Sequence, residues 1–200
     1  AIGIFKDQAA VDAYPHWAGA RPGDIIFKDV NGDNVIDGND RVRNDKSRTP
    51  RFTGGLNVDL GYKDFDLSFL LQGAMGGVFY QTTESGDFAN FLKSFYDNRW
   101  TEENPDADFP RTYNRSNEYF INQQNTFWLH KTDYIRLKNI ELGYTVPSIW
   151  SKKIGVEHLR AYNLLTISPD MKDYDPENTS GSGYNYPLNK VINFGVNLTF

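Results

Sequence analysis

An acidic stretch from Asp29 to Asp40 holds the side chains best suited to chemistry in this sequence of 200 residues. With Asp29 as position 1, oxygen-bearing side chains stand at positions 1, 3, 5, 9 and 12, and position 7 can offer a backbone carbonyl. The candidate ligands are Asp29, Asn31, Asp33, Val35, Asp37 and Asp40. Calcium takes about six to eight hard oxygen ligands, and this spacing wraps them around one ion. The stretch therefore predicts one structural Ca²⁺ with no catalytic role.

The spacing follows that of an EF-hand loop with two departures. Position 6 is Asn34 rather than Gly, and Asn tolerates the left-handed backbone that a sharp turn needs. Position 12 is Asp40 rather than Glu, which is shorter and able to ligate through one oxygen. Ile36, at position 8, can anchor the loop to a core. The alternative is an acidic turn without metal, because Asn-Gly and Asp-Gly are turn formers.

Composition narrows the class of protein. The chain is 15% aromatic, with 12 Tyr and 14 Phe, which is typical of a membrane barrel with aromatic girdles. Its mean hydropathy of −0.60 does not exclude a membrane, because only alternate residues of barrel strands meet lipid. The absence of Cys excludes disulfides, thiol catalysis and Cys-based zinc sites. A net charge of −5 argues against nucleic acid as a partner.

Two further sequence features concern the kind of chain. No run of about 20 apolar residues is present, so we expect no transmembrane helix. The sequence has neither an initiating Met nor a signal peptide, which indicates a processed protein or a piece of a longer one.

The last residues show the clearest strand pattern. Apolar side chains occupy one face, at Ile192, Phe194, Val196, Leu198 and Phe200. Uncharged polar or small residues occupy the other, at Asn193, Gly195, Asn197 and Thr199. Alternation of period two predicts a strand, and an uncharged polar face suits a wet lumen behind a lipid-facing wall.

Two earlier segments repeat this pattern around a short turn at residues 61–64. Apolar faces comprise Phe52, Leu56, Val58, Leu60 and Tyr62 before the turn, and Phe65, Leu67, Phe69 and Leu71 after it. Asp64, Asp66, Ser68 and Gln72 share the opposite face of the second segment, with Leu70 as the one apolar exception. Charge confined to one face favours lipid against lumen over core against solvent.

A fourth alternating segment precedes Pro147. The period places Ile140, Leu142, Tyr144 and Val146 on one face with Tyr134, Arg136 and Lys138. We therefore expect the membrane-facing part to begin only after Lys138. The next strand is predicted from Val156 to Ser168, interrupted in phase around Asn163-Leu164-Leu165.

Connection lengths alternate along the five predicted strands. They are long at 1–50, short at 61–64, long at 73–126, short at 147–155 and long at 169–187. Barrels have short periplasmic turns and long extracellular loops, so the long segments are predicted outside. The fold class is therefore all-β: the C-terminal strands of a transmembrane antiparallel β-barrel. Residues 1–50 form an extracellular loop region with the calcium loop, and residues 51–200 form the strands.

Local helices are expected in two places. Residues Gln8 to Tyr14 can make two turns, and helically spaced aromatics predict a short helix from Asp87 to Asn98. Its aromatics are Phe88, Phe91, Phe95 and Tyr96. They favour packing of the long loop on itself over a sugar-binding platform. The lone His16 is expected to be solvated or packed rather than a metal ligand.

These segments, in this order, resemble the C-terminal portion of the SusC/RagA family of TonB-dependent outer-membrane transporters. The matching stretches are residues 20–25 leading into Asp29–Asp40, 50–72, 99–101, 127–147, 163–166, 174–177 and 186–200. The final strand also resembles the assembly signal of outer-membrane barrels at Asn193, Gly195, Leu198 and Phe200. One departure is a shortened strand between Tyr162 and Asn163, where the family normally has a few more residues.

The resemblance implies a barrel of about 22 strands with a plug, located in the bacterial outer membrane. Such proteins import glycans or peptides with energy from TonB, and a SusD-like surface lipoprotein serves as the lid. The implied partners are therefore that lipoprotein, TonB, the cargo and outer-membrane lipid.

Two other functional classes compete with transport. A soluble, secreted calcium-binding and carbohydrate-binding β-domain would explain the acidic loop and the aromatics, but not the alternating loop lengths. An enzyme is not predicted, because no paired carboxylates, nucleophile motif or His cluster stands out.

Overall fold

The chain folds mainly into antiparallel β-strands, as its alternating pattern predicts. The computed structural model describes residues 1–80, 92–112, 125–145, 157–177 and 188–196. The strands are β1 (Gly3–Ile4), β2 (Ile25–Ile26), β3 (Phe52–Tyr62), β4 (Phe65–Met75), β5 (Val78–Tyr80), β6 (Leu129–Lys131), β7 (Tyr134–Tyr144), β8 (Glu157–Ile167) and β9 (Val191–Val196). The helices are α1 (Gln8–Ala13) and α2 (Lys93–Asn98), with 3₁₀ turns at Gly38–Asp40 and Thr126–Trp128.

The chain divides into two compact units. The first contains residues 1–46 and 80–130, and the second contains residues 47–79, 131–179 and 185–200. No helix in the described ranges is long and apolar enough to cross a membrane.

The second unit is built on one five-stranded antiparallel sheet in the order β3-β4-β7-β8-β9. Neighbours in this order are consecutive long strands, so the sheet is a meander, and the five strands predicted from the sequence are confirmed. β3 and β4 are joined by a turn whose Lys63 has a φ of 55°. The four longest strands have 11 residues each, which matches the roughly 9–11 residues of a transmembrane β-strand.

The sheet has one apolar and one polar face. Across β3 and β4, Leu56 faces Leu71, Val58 faces Phe69 and Leu60 faces Leu67. On the opposite face of the same two strands, Asp59 pairs with Ser68 and Gly61 pairs with Asp66. The apolar face remains exposed: Phe194 in β9 is 69% accessible and Leu56 in β3 is 56% accessible. At its turn end, Phe65 packs on Tyr144 with ring centroids 4.6 Å apart.

The face predicted for β7 is wrong in its first half. The register of β7 shifts between Leu137 and Asn139, which leaves Lys138 as an extra residue. A bulge of this kind reverses the phase of alternation. The residues beyond it, Ile140, Leu142 and Tyr144, therefore share a face with Ile135 and Leu137, not with Tyr134, Arg136 and Lys138. The apolar face of β7 thus begins at Ile135 rather than after Lys138.

The predicted interruption of the next strand is confirmed. Opposite the bulge of β7, Asn163 and Leu164 of β8 are left out of the pairing between the two strands. Asn163 has a φ of 53°, a left-handed conformation that Asn adopts more readily than most residues. The strand still runs without a break from Glu157 to Ile167, so the shortened segment is accommodated by this local irregularity.

The first unit packs around a small aromatic core. Ile25, Phe95 and Trp128 are buried together, with Phe109 and Phe127 against them. Helix α1 begins where Asp7 accepts a hydrogen bond from the Ala10 amide, and it buries Val11. The helix predicted near Asn98 is confirmed over Lys93–Asn98. Buried Phe95 packs on Phe109 of the same loop, as predicted, and also on Ile25 and Trp128 outside it.

Some predictions fall outside the described residues. These concern Phe88, Phe91, Val146, Pro147, Asn197, Leu198, Thr199 and Phe200.

Candidate functional site

The acidic loop folds around its own carboxylates. Asp29 accepts hydrogen bonds from the amides of Gly32 (2.7 Å) and Asn34 (2.9 Å). Asp33 accepts from the Val35 amide at 2.9 Å. The predicted left-handed residue is confirmed, since Asn34 has a φ of 65°. Ile36 is buried, as expected of the residue that anchors the loop.

Asp40 closes the loop. Its two carboxylate oxygens accept from the Val30 amide at 2.8 Å and the Asp37 amide at 2.9 Å. These hydrogen bonds, that from Asp37 above all, hold the pKa of Asp40 below its ordinary value. Asp37 in turn accepts from the Asn39 amide at 2.7 Å and caps the 3₁₀ turn. The carboxylate of Asp40 therefore stays ionised at neutral and mildly acidic pH.

The oxygen-bearing side chains of this loop are of the kind that binds calcium, but they do not point to one common metal position. Its side chains supply only oxygen ligands, and a carboxylate oxygen that accepts one N–H keeps a further lone pair. In the described ranges, no three His, Cys, Asp or Glu side chains stand close enough together to hold a metal ion. Binding would therefore require the carboxylates to turn from the loop amides towards a common centre.

The same loop borders an open cleft of about 910 Å³ in the first unit. Val30, Ile36 and Asp40 of the loop line this cleft. Trp17, Phe27 and Tyr80 contribute aromatic surface, and Lys28 and Arg41 contribute charge. The conformation of the acidic loop thus sets part of the shape of this cleft.

A second cluster of ionisable side chains occupies the polar face of the sheet. Arg136 in β7 is only 1% exposed. Its guanidinium forms ion pairs with Asp175, at 2.7 Å, and with Glu177, and it also lies over the ring of Tyr134. Lys138 binds Glu177 at 2.8 Å, and the Tyr134 hydroxyl donates to Glu177 at 2.7 Å. Two cations and two carboxylates therefore balance in one mostly buried network.

Sequence reasoning missed this network and a buried ion pair in the first unit. Asp24 is fully buried, and its carboxylate lies 2.7 Å from Nε of Arg111. The partners are 39 and 41 residues apart in the Arg136 network and 87 residues apart in the pair. One signal was available for the network: period two places Arg136 among apolar residues. An Arg buried there would need an acidic partner.

The described sheet defines a class of protein. Strands of transmembrane length, an exposed apolar face and a polar face that carries buried charge are the features of a transmembrane β-barrel wall. The apolar face is difficult to reconcile with a soluble secreted domain, which rarely exposes so large a patch.

Comparison with known proteins narrows the class further. The chain is 32% identical over 199 residues to the TonB-dependent receptor P3 of Formosa agariphila, covering 90% of the chain and 19% of that receptor. It is 27% identical over 188 residues to the TonB-dependent receptor SusC of Bacteroides thetaiotaomicron, covering 90% of the chain and 18% of SusC. A solved structure of the RagAB peptide importer in its open-open state matches 84% of the chain and 19% of the importer chain, with a TM-score of 0.63 and 30% identity. No protein-family model matches the sequence.

The resemblance to the SusC/RagA family is therefore confirmed: the chain is a SusC/RagA-like fragment, similar to one segment of these TonB-dependent receptors. It spans about a fifth of the length of the relatives it matches. TonB-dependent receptors of this kind are outer-membrane proteins, which places the chain in the bacterial outer membrane and confirms the all-β barrel fold.

Proposed function

We propose that this chain is part of an outer-membrane importer of glycans or peptides that draws its energy from TonB. The observation that carries the proposal is the sheet itself, with an exposed apolar face and a polar opposite face. The fold of the chain also matches the RagAB peptide importer with a TM-score of 0.63. A SusD-like surface lipoprotein is the proposed lid, since SusC and RagAB are the named relatives. The role is transport rather than catalysis, in keeping with relatives named as receptors and importers.

Import is tested by uptake in cells that carry or lack the full-length protein. Fluorescent oligosaccharides and oligopeptides are supplied separately, and uptake is measured with and without a protonophore that removes the energy TonB uses. Uptake of one cargo class should depend on both the protein and the proton gradient. Uptake that is equal with and without the protein for every cargo would contradict the proposed function.

The alternation of loop lengths gives a prediction about sidedness. A protease site inserted in residues 73–126, or in the part of the 169–187 loop beyond Glu177, should be cut on intact cells, because long barrel loops lie outside. A matched site at Ser148–Lys153 should be cut only after the outer membrane is opened, because it lies in a predicted periplasmic turn. Equal cleavage of both sites on intact cells would refute the assigned orientation.

We further propose that the acidic loop binds one structural Ca²⁺ through Asp29, Asn31, Asp33, Asp37 and Asp40 and the carbonyl of Val35. The spacing of the oxygen ligands, the left-handed turn at Asn34 and the buried anchor Ile36 support this proposal. The ion would remove the repulsion between carboxylates held in one tight loop. A loop on the extracellular side needs only weak affinity, on the order of 10⁻⁴–10⁻³ M.

The calcium prediction is tested by metal titration and by structure. At millimolar calcium we expect oxygens at about 2.3–2.6 Å around one anomalous centre in this loop. Asp29→Asn with Asp33→Asn should abolish the site, whereas Asp12→Asn on helix α1 should leave it intact. An ordered loop without an ion at that concentration would leave the acidic turn as the correct interpretation.

A further inference from the structure

The buried network on the polar face joins a strand to a segment distant in sequence. Arg136 lies in β7, whereas Asp175 and Glu177 lie in the segment that follows β8. Arg136 is 1% exposed, and the side chains of Asp175 and Glu177 are 14% and 18% exposed. The guanidinium fork reaches both carboxylates at once, a geometry that Lys cannot reproduce.

Register fixes the face on which this contact is made. Arg136 stands opposite Gln72 in β4 and Thr166 in β8, so it lies on the polar face. Gln72 donates to the Tyr134 hydroxyl at 3.2 Å, and that hydroxyl donates onward to Glu177. The acidic end of the segment is therefore bound to three strand residues, Tyr134, Arg136 and Lys138.

The rest of the segment is also tied to the second unit. Ser168 donates to the Asp133 carbonyl at 2.9 Å, and Asp170 accepts from the Lys131 amide at 3.2 Å. Met171 and Pro176 are buried, whereas Lys172 and Asp173 are exposed. Residues 168–177 are thus attached at both ends and present charged side chains between them.

We propose that Arg136 is a positioning residue that fixes residues 168–177 against the polar wall as a permanent part of the path that cargo takes. The fixation stands on the ion network alone. The placement in the cargo path rests on the proposed import function, because it requires the polar face to line the lumen. The cargo would then meet a charged, rigid segment rather than a free extracellular loop.

Hydrogen–deuterium exchange on the full-length protein in lipid nanodiscs tests the fixation. Arg136→Met should raise exchange at the amides of residues 170–177 by at least about tenfold, because removing one partner of a buried pair leaves the others uncompensated. Arg136→Lys should have an intermediate effect. Glu177→Gln is a second variant that keeps the Arg and should also raise exchange.

Arg160→Met is the matched control. Arg160 lies on the same face and pairs with Glu141 at 2.8 Å, but its side chain is 50% exposed and it binds no residue of the segment. It should leave exchange of residues 170–177 unchanged. Fast exchange of this segment in the wild type would overturn the proposed fixation of residues 168–177. So would unchanged exchange in both Arg136→Met and Glu177→Gln.

Uptake measured on the same variants tests the place in the cargo path. Arg136→Met should lower cargo uptake several-fold in protein that still folds into the membrane. Unchanged uptake of every imported cargo would overturn the path assignment while leaving the exchange result intact. Because exchange does not depend on import, a wild-type protein that imports nothing would contradict the proposed function without altering the fixation.

Discussion

Phe69→Arg is expected to destabilise the folded protein in the membrane by about 2–4 kcal/mol, whereas Ser68→Arg one residue earlier is expected to cost much less. Phe69 lies on the apolar face of β4, between Val58 of β3 and Ile140 of β7. A guanidinium there would replace an aromatic ring in contact with lipid hydrocarbon. Its charge would have no partner on that face and would have to draw water or snorkel towards the interface.

The control position has the opposite surroundings. Ser68 stands between Asp59 of β3 and Glu141 of β7 on the polar face. An Arg at this position would have two carboxylate neighbours on a wet face. Its charge would therefore be attracted rather than repelled, and it would lose little of its hydration.

Reversible unfolding of the full-length protein in phospholipid vesicles, followed by tryptophan fluorescence against denaturant concentration, measures both variants. A difference between the two substitutions supports a lipid-facing wall. Equal costs would mean that both faces meet the same solvent, and the barrel assignment would be lost.

The strands could be predicted from the sequence because the signal for a strand is local. Alternation at Ile192, Asn193 and Phe194 depends only on neighbouring residues and on the need to keep apolar side chains on one face. The left-handed residue at Asn34 was predictable for the same reason, since the turn it makes is determined within the loop. The short helix predicted over Gln8 to Tyr14 is confirmed as α1, and the structure adds its Asp7 cap.

The face of β7 could not be predicted because a bulge has no reliable local pattern. Lys138 is inserted between Leu137 and Asn139, and the reversal becomes visible only when the partner strand is aligned. With strict period two, Arg136 fell on the same face as Ile140, and its burial among carboxylates was hidden. The bulge therefore explains the wrong face of β7 and part of why the network was missed.

The ionic contacts themselves required the three-dimensional fold. Asp175 and Glu177 lie in a loop rich in Asp, and nothing in the sequence distinguishes them from exposed acidic residues such as Asp173. In the fold, the loop brings these two carboxylates back against β7, and this determines which acidic residues pair with Arg136. In the acidic loop the limit was different: spacing identified the possible ligands, but the hydrogen bonds to loop amides were not foreseen.

Asp24→Ala is expected to destabilise the first unit by about 3–5 kcal/mol, because it leaves a largely buried Arg without its counter-charge. Asp24 is 0% exposed, the Arg111 side chain is 16% exposed, and Nε lies 2.7 Å from the carboxylate. The same carboxylate accepts the Arg21 amide at 2.9 Å, so its loss also frees a turn.

The surroundings of this pair leave little room to relax. Gly23, next to Asp24, has a φ of 84°, and a Cβ added to it would lie 2.5 Å from the Trp100 ring. Its carbonyl accepts the Arg111 amide at 2.8 Å, and its own amide donates to Phe5 at 2.6 Å. Because the backbone is fixed from several sides, we expect little relaxation of the Arg towards solvent.

Hydrogen exchange at the amides of residues 1–30 and 99–112 in the full-length protein reports the stability of this unit separately from the sheet. Asp106→Ala is the control, since it breaks the pair between Lys6 and Asp106, whose side chains are 64% and 74% exposed. Exposed pairs contribute little, so exchange should remain near that of the wild type. Asp24→Asn should fall between the two, because an amide keeps the hydrogen bond from Arg21 but removes the charge. If Asp24→Ala raised exchange no more than Asp106→Ala, the buried pair would not be what stabilises this unit.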